Sequence, residues 1–528
     1  MLVGAQQASL PGVADYNSAI GIGHLASRDL ATWKVLPPAL VPGRWGGPQG
    51  KVGEPGGEAT GGYYSGSATI VHGQPRIVIP AVHGLGNNFP WTNMSSEQLC
   101  NMSYVLSTPA NTHDPWLSNW TEPIVVVDGR VDGVQPHGPG FDDVTHAWRD
   151  DTADGKERWL FAGQTTVCTS GSKDCRERGD KPEYLQLWAS LAGADWSKGF
   201  ESLGDFFPQM PVQDGIANCP DFWRLPSADL LYFGDNHYWL GNYTKTKSGS
   251  EDQHSIRNSS IFFKANAPAQ HFAPGTAATK GYWDEDSKRF IWWGWVQARS
   301  VPAQDGVAPW NGLLTVAREV TVDWGPSPNG NFSGFLRFQP VDELASLRAG
   351  LAHSTSAWPK PSSDGVSLLP TAQGGDTLDI ELNVTWGAGA PVPDGFGEVG
   401  LRVLVGSSSG ANSTEFVELL FSDKGSAGFI SLGATQSDGW RTQGAGSAVV
   451  EAPWRPRPTA LRMRVLVDRG IVEAFGQGGA GSLAFAHFTK SAASTGVGLV
   501  WRPRNGTAAG PAPSVSLKAW RMRTGYVQ

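Results

Sequence analysis

Cysteine is scarce in this chain, positive charge is outnumbered, and no long apolar run occurs. Among the four cysteines in 528 residues, Cys168 and Cys175 bracket the polar stretch TSGSKD. That spacing closes a small disulfide as readily as it leaves two surface thiols. No His/Cys set has zinc spacing, and no Gly-rich turn joins a strand to a helix as a nucleotide site requires, so neither a metal nor another cofactor is expected. The formal charge of −8 leaves no basic stripe to track a phosphate backbone, which argues against nucleic acid and anionic membrane as partners. No window approaches the roughly 20 apolar residues that span a bilayer. The opening MLVGAQQASLPG lacks the charged and then apolar order of a signal peptide.

What the chain does contain is turn formers and aromatics: 67 Gly, 37 Pro and 23 Trp, set between short runs such as SATIV, PRIVIPAV, RWLFAG, LLYFG, RFIWWGWV and LLTVAREVTV. These runs are rich in β-branched and aromatic residues, bounded by Gly, Pro, Asn and Asp, and almost free of i, i+3, i+4, i+7 spacing. They predict an all-β chain built as a propeller, sandwich or barrel. Pro340 to Arg348 has helical spacing and leads into the linker-like WPKPSSDG. Beyond it LDIELNVTW, EFVELLFS, LRMRVLVDRGIVEAF and VSLKAWRM alternate as two packed antiparallel sheets would. The expected division is a β-propeller domain over 1–339, a linker over 340–364 and a β-sandwich over 365–528.

Glycosylation sequons are in excess. Asn93, Asn101, Asn119, Asn242, Asn258, Asn331, Asn383, Asn412 and Asn505 each begin Asn-X-Ser/Thr, where composition alone gives about two or three. Passage through a secretory pathway, to a secreted or vacuolar destination, is the expectation, with a leader absent from this sequence.

Several landmarks then arrive in a consistent order: GHLASRDLATWKVLPPAL from Gly23, YYSGSATIV from Tyr63, HAWRDD from His146, NCPDFW from Asn218, KRFIWWGWV from Lys288, PWNGLLTVAREVTVD from Pro309, RFQPVDELASLR from Arg337 and LVDRGIVEAFGQGG from Leu466. Together they resemble glycoside hydrolase family 32, the invertases, fructan hydrolases and related fructosyltransferases. The resemblance implies a five-bladed propeller followed by a β-sandwich, and the 22 residues before Gly23 are too few to supply the propeller's first strand and its loop. It also implies retaining hydrolysis or transfer at terminal β-fructofuranosides, with sucrose or a fructan as the small-molecule partner. Retention needs two carboxyls about 5 to 5.5 Å apart, one as nucleophile and one as acid; in the family a third grips the fructose hydroxyls.

Carried over residue by residue, the resemblance places Arg149 and Asp150 at the Arg-Asp-Pro hydroxyl clamp, with Asp151 in place of proline and expected to point outward. It places Tyr64 and Ser65 on the sugar and Asn218 at the acid position, where the family has glutamate. Asparagine has no proton to give, although it still hydrogen-bonds a glycosidic oxygen. Asp214 and Asp221 do not replace the acid, and Cys219 is expected to be buried and unpaired. Trp223 and Trp292 read as propeller core. No Asn-Asp-Pro nucleophile string occurs, and Asp15 does not carry that motif. Three readings stay open: a hydrolase whose recorded chain lacks its start, a fructoside-binding or regulatory homologue without turnover, and a fructosyltransferase.

Overall fold

Alternation of apolar and polar residues becomes strand, nearly all of it paired antiparallel, in the computed structural model. It describes residues 2–8, 21–41, 63–82, 102–128, 140–166, 183–208, 219–234, 237–245, 260–266, 270–271, 275–297, 312–326, 332–358, 364–369, 375–406, 415–423, 430–436, 450–452, 457–489, 491–504 and 512–527. The chain is all-β, and its contacts divide it into two compact units: residues 1–270 with 278–280 and 526–528, and residues 271–277 with 281–525.

The first unit holds four sheets in chain order, each with successive strands hydrogen-bonded to one another. In the first, Leu2–Ala8, Gly21–Ser27 and Trp33–Leu40 are joined by Tyr526–Val527, which runs parallel to Trp33–Leu40. The second is Ser67–Val71, Gln74–Val82, Met102–Ser107 and Ile124–Asp128. Gly140–Val144, Trp159–Thr166, Glu183–Ser190 and Phe200–Asp205 form the third, with the short Trp148–Arg149 paired to Trp159–Thr166. Asp221–Arg224, Asp229–Phe233, His237–Lys245 and Ile261–Ala265 form the fourth.

Period-2 alternation explains how these sheets stack. Along Trp159–Thr166, Phe161 joins a cluster with Val78, Tyr104 and Leu106 of the second sheet, whereas Leu160 and Ala162 join one with Phe222, Leu231 and Phe233 of the fourth. The second sheet likewise turns Ile77, Ile79 and Val105 toward Ile22 and Leu40 of the first. Sheets buried on both faces lose their polar alternation. Leu230, Leu231, Tyr232 and Phe233 are consecutive and all buried. Face-to-face succession of four-stranded meanders is the stacking of propeller blades.

The second unit contains most of a further meander, Ala277–Asp284, Arg289–Gln297, Arg318–Pro326 and Phe332–Pro340, and two six-stranded sheets. Leu378, Ile380, Leu382 and Val384 alternate along Thr377–Thr385 and face Val399, Leu401, Leu419 and Phe421 of the opposite sheet in one apolar core, the β-sandwich the pattern implied. The helical spacing after Pro340 forms only a 3₁₀ helix, Asp342–Leu347. Arg348–Thr355, inside the stretch expected to be linker, instead pairs with Ser514–Met522 as a strand of the sandwich. Trp292 is 1% exposed and lies beneath the Arg318 guanidinium, a core position as expected. Cys168 and Cys175 lie outside the described residues.

Candidate active site

The first strands of the second, third, fourth and further meanders supply the site. Ser65 and Gly66 lead into Ser67–Val71, Asp143 lies within Gly140–Val144, Cys219 and Pro220 lead into Asp221–Arg224, and Lys280 lies on Ala277–Asp284, in the part that belongs to the first unit. The centre of this group is Asp143, 5% exposed. Burial pushes its carboxyl pKa up; the charge of Lys280, the Cys219 thiol and the backbone N–H groups of Ser65 and Cys219 act against that push. The Cys219 thiol also lies 3.8 Å from Ser65 Oγ. Ser67 Oγ donates to Val144 O at 3.1 Å. Lys280 Nζ donates to that same carbonyl at 2.6 Å and to Pro220 O at 2.7 Å.

Two glycines permit the close approach. A Cβ on Gly66 would stand 2.5 Å from Val78 O, and one on Gly234 would stand 2.6 Å from the Cys219 Cβ and 2.8 Å from Ala278 N. Cys219 itself adopts φ of 52°, the left-handed region that side chains usually avoid.

Directly behind this turn Asp221, fully buried, is caged by donors. His146 N (3.1 Å), His146 Nδ1 (3.3 Å) and Phe222 N (3.1 Å) reach Oδ1; Trp223 Nε1 (2.9 Å) and Tyr232 OH (3.0 Å) reach Oδ2. Burial opposes ionisation, but the His146 hydrogen bond, the Lys280 charge and the Trp223 indole outweigh it and hold the pKa down to about 2. The same carboxylate, together with burial, pushes the Tyr232 hydroxyl well above its usual range. His146 stacks on Trp223 at 3.6 Å and 11°. Trp223 is therefore core, as expected.

The sequence-derived clamp does not form as expected. Arg149 is about half exposed and grips Asp151 through Nε (2.7 Å) and Nη2 (2.8 Å), so Asp151 points outward as predicted but takes the guanidinium with it. Asp150 is buried, and the cations that hold it are Arg158, at 2.8 Å, and Lys245. Arg149 and Asp150 are thus neighbours in sequence at the end of the short strand Trp148–Arg149 but belong to separate ion pairs. Tyr64 is 6% exposed and packs in the cluster with Val78, Tyr104 and Val144, a core aromatic and not an open sugar platform. Ser65 does reach the site. Cys219 is half-buried, not buried as expected. Asn218 lies outside the described residues.

Asp143 is the residue that sequence reasoning missed. It sits in Gly140-Phe141-Asp142-Asp143-Val144, between the Ser65 and Cys219 segments, seven residues before Asp150. Aligning Asp142-Asp143-Val144 with Arg-Asp-Pro keeps only the aspartate, which is why the fuller string at 149–150 drew the assignment. Chemically, a buried carboxylate beside converging N–H donors and a lysine is suited to accept hydrogen bonds from neutral hydroxyls.

Comparison with known proteins supports the same frame. Residues 14–327 match the model of the glycosyl hydrolases family 32 N-terminal domain, and residues 343–521 match that of the glycosyl hydrolases family 32 C terminal. Acid beta-fructofuranosidase 2, vacuolar, of a Rosa hybrid cultivar is 25% identical over 538 residues, covering 96% of this chain and 75% of its own. Acid beta-fructofuranosidase of Vigna radiata var. radiata is 24% identical over 544 residues, covering 96% and 74%. Among solved structures, fructan 1-exohydrolase IIa from Cichorium intybus superposes with a TM-score of 0.68 at 19% identity, covering 99% of this chain and 93% of that one. Sucrose-6-phosphate hydrolase from Lactobacillus gasseri does so with 0.65 at 13% identity, covering 99% and 88%. The two structures carry the fold, a β-propeller followed by a β-sandwich. With both family models matched in order across nearly the whole chain, and the residues of their shared landmarks converging on Asp143, this protein belongs to glycosyl hydrolase family 32.

Proposed function

We propose that this protein is a β-fructofuranosidase-type hydrolase acting on the terminal fructofuranosyl unit of sucrose or a fructan by the retaining route. In this reading Asp143, not Asp150, takes the fructose hydroxyls, with Ser65 beside it. The observation that carries the reading is the convergence of Ser65, Asp143 and Cys219, from three successive sheets, around one buried carboxylate. The site belongs to a propeller domain ending near residue 339. The sandwich runs from about residue 365 and gains Arg348–Thr355 as an added strand. The sequon excess favours a secreted or vacuolar destination.

Asn218 favours a second reading. An amide cannot protonate a leaving oxygen, so the same pocket would bind a fructoside without turning it over. Transfer to a sugar acceptor uses the same groups as hydrolysis.

Purified protein incubated with sucrose and with inulin, and assayed for released fructose, separates these readings. Under the first, Asp143→Asn lowers the rate by about 10²–10³-fold, as loss of a group preorganised for the transition state does, and Asp150→Asn does not. Under the second, no fructose appears, but calorimetry registers binding that Asp143→Asn abolishes. Neither turnover nor heat at millimolar ligand overturns both.

A further inference from the structure

Lys280 lies on Ala277–Asp284, a strand whose sequence, Ala-Ala-Thr-Lys-Gly-Tyr-Trp-Asp, falls outside the landmark strings quoted above. Its side chain is half-buried, and its ammonium is committed to two backbone carbonyls. Those carbonyls belong to the residues immediately after Asp143 and immediately after Cys219. One ammonium therefore ties the strand that carries Asp143 to the left-handed turn at Cys219, and Ser67 Oγ, on the same Val144 carbonyl, ties in the segment of Ser65. The charge also acts on both neighbouring carboxylates, Asp143 and Asp221.

We propose that Lys280 is a positioning residue of the hydroxyl-binding site: it fixes the separation of Asp143 from the Cys219–Pro220 turn through the carbonyls of Val144 and Pro220, and presents its positive charge to Asp143. The role rests on the reading of Asp143 as the sugar-gripping carboxylate. A lysine placed only for packing would turn its ammonium to solvent along an apolar stem. Here it is turned inward and spent on two carbonyls.

The consequence is electrical as well as geometric. Burial favours the protonated form of Asp143, which is a poorer acceptor for sugar hydroxyls, and Lys280 opposes that. Among the described residues, the other titratable groups facing the pair are the Cys219 thiol on Asp143 and, on Asp221, His146 and Tyr232. All of them stay in place when Lys280 alone is changed.

The test is a pH titration of the full chain labelled with ¹³C at aspartate carboxyl carbons, with Asp143 identified by the resonance lost in Asp143→Asn. Lys280→Met is expected to raise the Asp143 midpoint by about one pH unit, the low end of what a nearby opposite charge gives, and Lys280→Arg to return it toward the wild-type value. If Lys280→Met does not fold, Lys280→Gln is read in the same way. A midpoint unmoved in the folded variant overturns the proposal, even if the melting temperature falls, because lost packing alone does not shift a titration. Calorimetry with fructose, run in parallel, separates the two ideas. A wild-type protein that binds no fructose while its Asp143 midpoint still responds to Lys280 sinks the sugar-binding reading and leaves the lysine assignment standing. Fructose binding with no response of the midpoint does the reverse.

Discussion

Asp221 offers the sharpest test of the site's construction, because its ionisation is built into the fold. Five donors within 3.3 Å surround its two oxygens, and four of them come from His146, Trp223 and Tyr232 side chains or the His146 backbone. An ordinary aspartate titrates at 3.8, whereas this one is held down to about 2. At about 1.4 kcal/mol per pKa unit, the difference corresponds to about 2 kcal/mol of stability. The sign follows from a depressed folded-state pKa. The contribution is present in full above the unfolded value near 4 and is lost as pH falls through the folded value near 2.

The perturbation is Asp221→Asn, which removes the charge and turns an amide N–H₂ toward groups that are themselves donors. Because a chain of several packed units does not unfold in one step, the assay is hydrogen exchange read locally, on peptides covering Asp221–Arg224 and Asp229–Phe233. At pH 6 these peptides are expected to exchange about 30-fold faster in the variant, the equivalent of about 2 kcal/mol. After correction for intrinsic exchange, that part of the gap closes between about pH 4 and pH 2, while any constant remainder measures the misplaced amide. Equal protection at pH 6, or a gap with no pH dependence, refutes the donor cage as the source of the depressed pKa.

Three further outcomes follow from the same geometry. Arg318, fully buried on Glu473 with Nη2 to Oε2 at 2.5 Å, leaves an uncompensated carboxylate when changed to Met, a cost of about 3–5 kcal/mol that is expected as faster local hydrogen exchange across Arg318–Pro326 and Ile471–Gly476. The double change Arg318→Met with Glu473→Leu should recover most of it. Asn218→Glu should raise fructose release by about 10²–10⁴-fold if the missing acid is what limits the rate, and an unchanged rate would place the acid elsewhere. Arg149→Ala, which breaks only an exposed pair with Asp151, should leave both melting temperature and fructose release where they were; a large loss of activity would restore Arg149 to the site.

Strand punctuation made the fold class legible, because a run such as Leu378, Ile380, Leu382 and Val384 states its own period and its buried face. What it could not state is which sheets are covered on both sides: Leu160, Phe161 and Ala162 read alike in sequence, and only stacking sends them to different clusters. A motif that is one contiguous string, as around Cys219, comes together with Ser65 in the structure, and where two strings competed, the fuller one lies apart from that group. Arg149-Asp150 shares two residues with Arg-Asp-Pro and Asp142-Asp143-Val144 shares one. Yet the first string begins on the last residue of a short paired strand, where its arginine turns outward, and the second ends the strand that brings Asp143 to Ser65 and Cys219. Lys280 was invisible for a different reason. Its two carbonyl partners lie 60 and 136 residues away, and a lysine within a strand has no local pattern that announces an inward-turned ammonium. Burial thus separates the two aspartates less well than their partners do. Asp150 is also buried, but Arg158 and Lys245 hold its oxygens, whereas Lys280, whose charge acts on Asp143, commits its ammonium to the carbonyls of Val144 and Pro220. That difference in partners, more than burial, is what favours Asp143 over Asp150 in the proposed hydroxyl-gripping role.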